Sequence, residues 1–418
     1  MENGRVERQI GVFLLINIVC FLAFAIINLT PFLVRWFPIN GQITLLLIWI
    51  ITSMMARPYY YFKSPLFIKI LVWFVYLSLL QLLGFADLAI GNLFNYLTFW
   101  FCMVIMDFYN EVLDPKVTST IMNVMFSTMV INILFNIKEL LANPYLSKIV
   151  TAYGTIELGF QTNVGNYSFT LSSAIIMLSC LHYFSVRKES ERPLGFFYLV
   201  IGLLSLYMIV LASSMIGIIT AFIMIFVFLV AIGLLKGESH KTVMYLCFAI
   251  SIILLVLLFR DSIYYLLRRL SLNMDNELIR VRFNEVLEFL FGDKEKASLS
   301  GREFLYRYSI KTFLENPIFG VGRGHTRIHG LIGLHSQILD DLAYYGLAGF
   351  TLIISILFNF KKRYMNYYKA YLANGKALIW AYGTGVLFFA LFNPFANINI
   401  GLMIFVFFPL YCKDGLKL

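Results

Sequence analysis

The chain has 418 residues and a mass of 48.2 kDa. Hydrophobic residues make up 60 % of it, charged residues only 13 %, and the mean hydropathy is +0.80. A water-soluble globule carries about a quarter charged residues, so the composition excludes one, along with disorder, collagen and coiled coil.

The first apolar run, 10–29, is long enough to cross a hydrocarbon core, which takes about 20 residues. It lacks a small-x-small cleavage site and reads as a retained span. Eleven further runs follow, at 39–56, 66–86, 88–108, 118–137, 167–185, 195–213, 215–235, 242–260, 338–360, 377–393 and 398–412. They are continuous rather than alternating, which fits helices and not a closed barrel. The prediction is an all-α polytopic membrane protein with twelve transmembrane helices. Five cysteines, Cys20, Cys102, Cys180, Cys247 and Cys412, lie in or at the end of these runs. None forms a Cys-x-x-Cys pair, which argues against a disulfide framework or a cysteine metal site.

The net charge of +10 has a topological meaning in such a chain. Arg5 and Arg8, Arg57 and Lys63, Arg187, Lys188 and Arg192, Lys236 and Lys241, Lys361 to Arg363, Lys369 and Lys376, and Lys413 and Lys417 all fall on one side of the twelve spans. Basic residues in short loops mark the cytoplasmic side, so both termini are expected there. Two segments on the outer side, 138–166 and 260–337, are too long to be turns. Connections are usually ~4–6 residues, and longer ones tend to carry structure and function. The chain thus divides into a bundle of nine helices over 1–259, a large extracytoplasmic loop over 260–337, and three helices over 338–418.

Within the large loop, 278–291 has Ile279, Phe283, Val286, Leu287 and Leu290 at helical spacing, with Arg280, Arg282, Glu285 and Glu288 off that stripe. This predicts an amphipathic helix. Ser300-Gly301-Arg302-Glu303 reads as a capping box opening a helix that Asn316-Pro317 stops. Arg302 then sits in the first helical turn, where free N–H groups and the helix dipole favour an anion, and its planar fork suits phosphate. His325 and His329 are four apart, a metal spacing on a helix. Gly324, Gly330 and Gly333 argue against a helix there, so no metal is predicted. Asp340 and Asp341 are adjacent and point ~100° apart in a helix, so at most one faces a site.

The run from Ser300 to Gly349 resembles the signature region of the O-antigen ligase and polysaccharide-polymerase (Wzy) superfamily. The matching pieces are Ser300-Gly301-Arg302, Glu315 to Gly322, His335-Ser336-Gln337-Ile338-Leu339-Asp340 and Tyr345-Gly346-Leu347-Ala348-Gly349. Their order and their place before a late span match as well. The His-Ser variant is most similar to capsular or exopolysaccharide repeat-unit polymerases.

The resemblance implies a GT-C-like fold, a bacterial cytoplasmic-membrane location, and an undecaprenyl-pyrophosphate oligosaccharide as donor. It implies a second such lipid-linked chain as acceptor, no cofactor and no metal, no nucleic acid, and a flippase and a chain-length regulator as further partners. Arg302 would bind the pyrophosphate, His335 would receive or orient the acceptor hydroxyl, and Asp340 would hold the His335 ring. Relatives carry a Ser-Arg pair at the head of an earlier span. Here that stretch reads Ala212-Ser213-Ser214-Met215-Ile216-Gly217, with Met215 in place of the arginine. Arg35, Arg260, Arg280, Arg282 and Arg323 are candidates for the second cation, and Asn163 or Asn166 for an asparagine the family often has near the span after the first outer loop. An O-antigen-type ligase and a lipid-linked oligosaccharide flippase remain alternatives. The flippase would put charge within the spans, which are poor in it here.

Overall fold

The computed structural model describes residues 2–82, 90–153, 162–186, 192–235, 260–273, 280, 284, 287, 299–322, 332–368 and 373–414. No described residue lies in a strand. The elements are α1 (Glu2–Leu29), α2 (Pro31–Trp36), α3 (Ile39–Ala56), α4 (Pro58–Lys63), α5 (Pro65–Leu82) and α6 (Ile90–Val112). They continue with α7 (Pro115–Ala142), α8 (Leu146–Tyr153), α9 (Tyr167–Val186), α10 (Arg192–Leu211), α11 (Met215–Leu235) and α12 (Arg260–Leu272). The rest are α13 (Leu299–Glu315), α14 (Gln337–Tyr368), α15 (Ala373–Phe392), α16 (Ile398–Gly401), a π-helical turn (Leu402–Phe407) and α17 (Phe408–Asp414).

Eight of these helices are long and apolar enough to cross a membrane. In lipid a helix satisfies its own backbone groups, so continuous apolar runs become helices whatever their propensity. Proline opens α2, α4 and α7, where its missing N–H costs nothing. Ten of the predicted spans correspond to α1, α3, α5, α6, α7, α9, α10, α11, α14 and α15, with edges shifted by up to eight residues. Span 398–412 is not one regular helix but α16, the π turn and α17, and Tyr382 donates its hydroxyl to the Ile404 carbonyl within the π turn at 3.1 Å. Span 242–260 lies outside the described residues, apart from Arg260 at the start of α12.

α9 is the interior helix: 78 % of its apolar window is buried, against at most 44 % in the other candidate spans. Thr170, Ser172, Ser173 and Ser179 turn their hydroxyls back to carbonyls three or four residues earlier, which lets small polar residues sit in a dry interior. Small residues also admit close neighbours. A Cβ on Gly217 of α11 would stand 2.8 Å from the Thr170 hydroxyl of α9. α6 is buried without a break from Thr98 to Tyr109.

At one end of the bundle α4, α6, the basic end of α14 and α17 meet. Arg363 pairs with Asp107 at 2.5 Å and with Glu111 at 2.7 Å, Lys413 donates to Asn110 at 2.8 Å, and Tyr60 and Ser64 donate to Asp107 at 2.8 and 2.9 Å. The other end carries the long segments. In the described part of segment 138–166, α7 runs on to Ala142, α8 follows, and 162–166 has no regular secondary structure. In 260–337, α12 is a helix that the sequence reading omits. Arg280, Asn284 and Leu287 are helical and Leu287, from the predicted apolar stripe, is buried; the remainder of 278–291, with the rest of that stripe, lies outside the described residues.

The expected capping box at Ser300 is corrected. The helix already includes Leu299, so Ser300 lies inside it, and Glu303 pairs with Arg307 at 2.7 Å one turn further on. The stop at Asn316-Pro317 holds, since α13 ends at Glu315.

Candidate active site at the loop-bearing end

The motif pieces around Gly320 and Gly346 meet in space. After α13, residues 316–322 run against α14 at the point where α14 breaks at Gly346, whose φ is 59° and ψ −168°. Four backbone hydrogen bonds close the contact. Val321 and Gly322 donate to the carbonyls of Ala343 and Tyr344 at 3.1 and 2.8 Å, and Leu347 and Ala348 donate to those of Pro317 and Ile318 at 2.8 and 3.0 Å. The break in α14 frees carbonyls that an intact helix would use itself. Only glycine fits the crossing: a Cβ on Gly320 would lie 2.4 Å from the Tyr344 backbone, and one on Gly346 would lie 2.3 Å from the Ile318 oxygen. Tyr76 of α5 donates to the Tyr345 carbonyl at 2.8 Å and so ties this clasp to the bundle.

The clasp fixes α13 against the start of α14, and there the candidate catalytic residues gather. Ser336 caps α14, its hydroxyl accepting from the Leu339 N–H at 3.2 Å. Asp340 is 4 % exposed. Its carboxylate accepts from the Ser309 hydroxyl of α13 at 2.6 Å and reaches back to the Ser336 N–H at 3.1 Å. This reciprocal cap is what the sequence reading sought at Ser300 and Glu303. Ser309 in turn accepts from the Gly333 N–H at 3.0 Å. Asp340 therefore holds the backbone on both sides of His335. The Nδ1 of His335 lies 2.8 Å from the Leu334 carbonyl, which can only accept. A proton on Nδ1 leaves Nε2 as the basic nitrogen of the neutral ring. Leu334 has a φ of 57°, a strained value for a branched side chain.

The predicted cations are spread differently. Arg302 lies in the first described turn of α13, seven residues before Ser309 and so near the same helical register. Arg260 opens α12 and Arg280 is half-buried in a helical stretch. Arg282 and Arg323 lie outside the described residues, as do His325 and His329. Met215 opens α11 after a turn at Ala212–Ser214.

Two cavities adjoin this arrangement. One is an apolar, half-open groove of about 750 Å³ between α14, α15 and the 404–409 stretch. Gln337 and Asp341 line one end of it and Lys361 and Tyr364 the other. The groove-lining residues of α14 run from Gln337 to Tyr364, on both sides of the break at Gly346. The second is a polar cavity of about 540 Å³ lined by Asn28, Arg35, Asn95, Asn166, Ser168, Asn397 and Asn399 among others. One short segment divides them: Phe395 faces the groove and Asn397 the polar cavity. Gln337 fixes that segment, its side-chain oxygen accepting from the Phe395 and Ala396 N–H groups at 2.9 and 3.0 Å.

An amide network shapes the polar cavity. Asn132 and Asn136 of α7 hold the stretch 162–166. Asn163 donates to Asn132 at 2.8 Å, Asn136 donates to the Asn163 carbonyl at 2.9 Å, and Gly165 donates to Asn136 at 2.8 Å. Glu139 accepts from the Asn163 N–H and the Thr162 hydroxyl. Arg35 is spent on the same stretch, donating to the Thr162 and Val164 carbonyls at 2.8 and 2.5 Å. Burial pulls its guanidinium below the usual arginine value, and nearby Glu139 opposes that. Sequence reasoning picked out Asn163, Asn166 and Arg35 but missed Asn28, Asn95, Asn132, Asn136, Glu139, Asn397 and Asn399. The available signal was asparagines at helical spacing within an apolar run (Asn132 and Asn136) and the Asn397-x-Asn399 pair beside another.

Among the described residues no three of His, Cys, Asp and Glu gather as a metal site. A family model described as O-antigen ligase matches residues 194–354, from α10 through the break in α14. That match covers Arg302, His335, Asp340 and both clasp glycines, and contains none of the residues that line the asparagine cavity. No curated protein matches the chain significantly.

Proposed function

We propose, from the premise that the chain belongs to the O-antigen ligase and Wzy superfamily, that it polymerises polyprenyl-pyrophosphate-linked oligosaccharide repeat units on the outer face of a bacterial cytoplasmic membrane. Membership makes it a membrane enzyme of the glycosyl-transfer type. The observation that carries the finer reading is the setting of His335. It stands two residues before Gln337, which lines an apolar, half-open groove of about 750 Å³ between α14 and α15. A donor with a long isoprenoid tail suits such a groove, with its pyrophosphate and sugar emerging among polar groups.

In the proposed step the acceptor hydroxyl oxygen attacks the anomeric carbon of the donor. Its proton passes to Nε2 of His335, and the bond from that carbon to the phosphate oxygen breaks. Polyprenyl pyrophosphate leaves with the electron pair. Arg302 stabilises the leaving charge beside the N-terminal turn of α13. Loss of such a stabiliser typically costs ~10²–10³ in rate, and loss of a proton acceptor ~10²–10⁴. Asp340 acts as a positioning residue by fixing the turn that carries His335. Arg280, Arg260, Arg282 and Arg323 are the candidates for the second cation, since Arg35 is already bound to the Thr162 and Val164 carbonyls.

The charges of the short loops support an orientation with both termini in the cytoplasm and the candidate site outside. A flippase that delivers the donor and a chain-length regulator are the expected partners. The test is a complementation assay in cells lacking the gene, read as a polysaccharide ladder on a gel. Arg302→Ala and His335→Ala should insert normally and leave single repeat units. Long lipid-linked polymer that is never transferred would instead indicate a ligase, and full-length product from both variants refutes the assignment.

A further inference from the structure

We infer that the asparagine-lined cavity between α1, α6, α9 and the 397–399 turn is a glycan subsite that holds neutral sugar residues of the acceptor. The inference rests on the reading above that the substrate is an oligosaccharide, but on different residues.

The chemistry of the lining argues for sugar rather than phosphate. Arg35 is the one charged residue among the described lining residues. Its guanidinium already binds two carbonyls, and Glu139 grips the same stretch through Asn163 and Thr162. No unbalanced positive charge is left to hold an anion. What remains is a ring of amides. Each amide offers both donors and an acceptor, which matches a sugar hydroxyl that is itself donor and acceptor. The amide nitrogens of Asn95, Asn166 and Asn397 have no hydrogen-bond partner among the described residues, while the Asn166 and Asn397 oxygens cap helix starts. Tyr167 and Phe169 add apolar surface to the wall. The volume, about 540 Å³, falls in the ~300–1,000 Å³ range of small-molecule sites.

The location suits an acceptor. Asn397 follows directly on the Phe395–Ala396 stretch pinned by Gln337, two residues beyond His335. Donor groove and glycan cavity thus share one wall, and a glycan in the cavity approaches the reaction centre from the side opposite the lipid tail.

Asn132, Asn136 and Glu139 also brace the wall at 162–166 through protein hydrogen bonds alone. A wall braced in this way avoids the ordering cost that weakens binding to mobile loops.

The test uses full-length protein in lipid nanodiscs and oligosaccharides of one and two repeats, obtained by partial hydrolysis of the host's surface polysaccharide. Binding is measured calorimetrically. Asn95→Leu removes an amide outright, whereas Asn166→Asp and Asn397→Asp keep the capping oxygen and delete the amide donor. Each should weaken binding about tenfold, the scale of one lost hydrogen bond, and raise the acceptor KM with little change in kcat. His335→Ala should bind as tightly as the wild type, which separates this site from the catalytic assignment. Should His335→Ala stay active while the asparagine variants lose affinity, the subsite stands and the catalytic reading falls. Wild-type affinity in all three asparagine variants, no binding to the wild type, or displacement of the oligosaccharide by inorganic pyrophosphate would each overturn the inference.

Discussion

Replacing Gly346 with alanine tests whether the clasp between α13 and α14 organises the site. Gly346 has a φ of 59° and a ψ of −168°, a region essentially reserved for glycine, and a side chain there costs ~1–3 kcal/mol. The new Cβ would also lie 2.3 Å from the Ile318 oxygen, so the two strands of the clasp must separate. That strains the Leu347 and Ala348 hydrogen bonds to Pro317 and Ile318, each worth a net ~0.5–1.5 kcal/mol. The sum is about 2–6 kcal/mol, felt locally. Hydrogen exchange of the full chain in nanodiscs reads it directly, because the Val321, Gly322, Leu347 and Ala348 amides all sit in the clasp. At 1.4 kcal/mol per factor of ten, their protection should fall roughly 30- to 10⁴-fold, and polymer output should fall with it. Gly11→Ala is the control, since nothing lies within 4 Å of a Cβ there. If Gly346→Ala exchanged and worked like Gly11→Ala, the clasp would not be what holds His335 in place.

Ser309→Ala should weaken the reaction without touching substrate. It strips the buried Asp340 carboxylate of one donor and the Gly333 N–H of its acceptor, at about 1–3 kcal/mol. The expected signature is a lower kcat with the donor KM unchanged, measured by chain elongation in nanodiscs; an unchanged kcat would exclude a positioning role. At the opposite end, Arg363→Ala leaves Asp107, which is wholly buried, without its cation and should cost ~3–5 kcal/mol. Asp107→Asn added to it should restore most of that loss, because Tyr60 and Ser64 still donate to the remaining oxygen. Thermal unfolding followed with a thiol-reactive dye reports both, since Cys20, Cys102, Cys180 and Cys412 are buried. Equal melting of the single and double variants would refute the pairing.

The bundle is legible in the sequence because lipid imposes a simple rule. A continuous apolar run must be a helix, and α1, α3, α9 and α11 match their predicted runs closely. Features set by one side chain meeting another are not legible this way. The Ser300–Glu303 pattern has the spacing of a capping box, yet the helix starts upstream and Ser336 with Asp340 does that work for α14 instead. The glycines at 320 and 346 stand out in the sequence, but not that each occupies the space the other's strand leaves. Span 398–412 reads as one helix because hydropathy carries no signal for the extra residue per turn in a π segment. The asparagine cavity is hardest to foresee. Its residues run from Asn28 to Asn399, and no local spacing relates them. Only the packing of α1, α6, α7 and α9 brings them together.

The distribution of rigidity follows from the kind of substrate proposed. A lipid-anchored donor enters sideways from the membrane, so the groove must stay open along its length, and its walls are apolar side chains rather than a hydrogen-bonded frame. Such a tail fixes depth in the bilayer but not the direction of the reacting bond. Orientation must then come from the polar end, where misplacement by about 1 Å can cost a hundredfold in rate. That end has the densest set of cross-braces: the four-bond clasp, the Ser309–Asp340–Ser336 triad and the Gln337 anchor on 395–396. Leu334 keeps its strained backbone because Gly333 on one side and Ser336 on the other are both pinned. Release of either pin would let Leu334 relax and swing His335 with it. For this reason Ser309, which need not touch substrate, is expected to govern turnover.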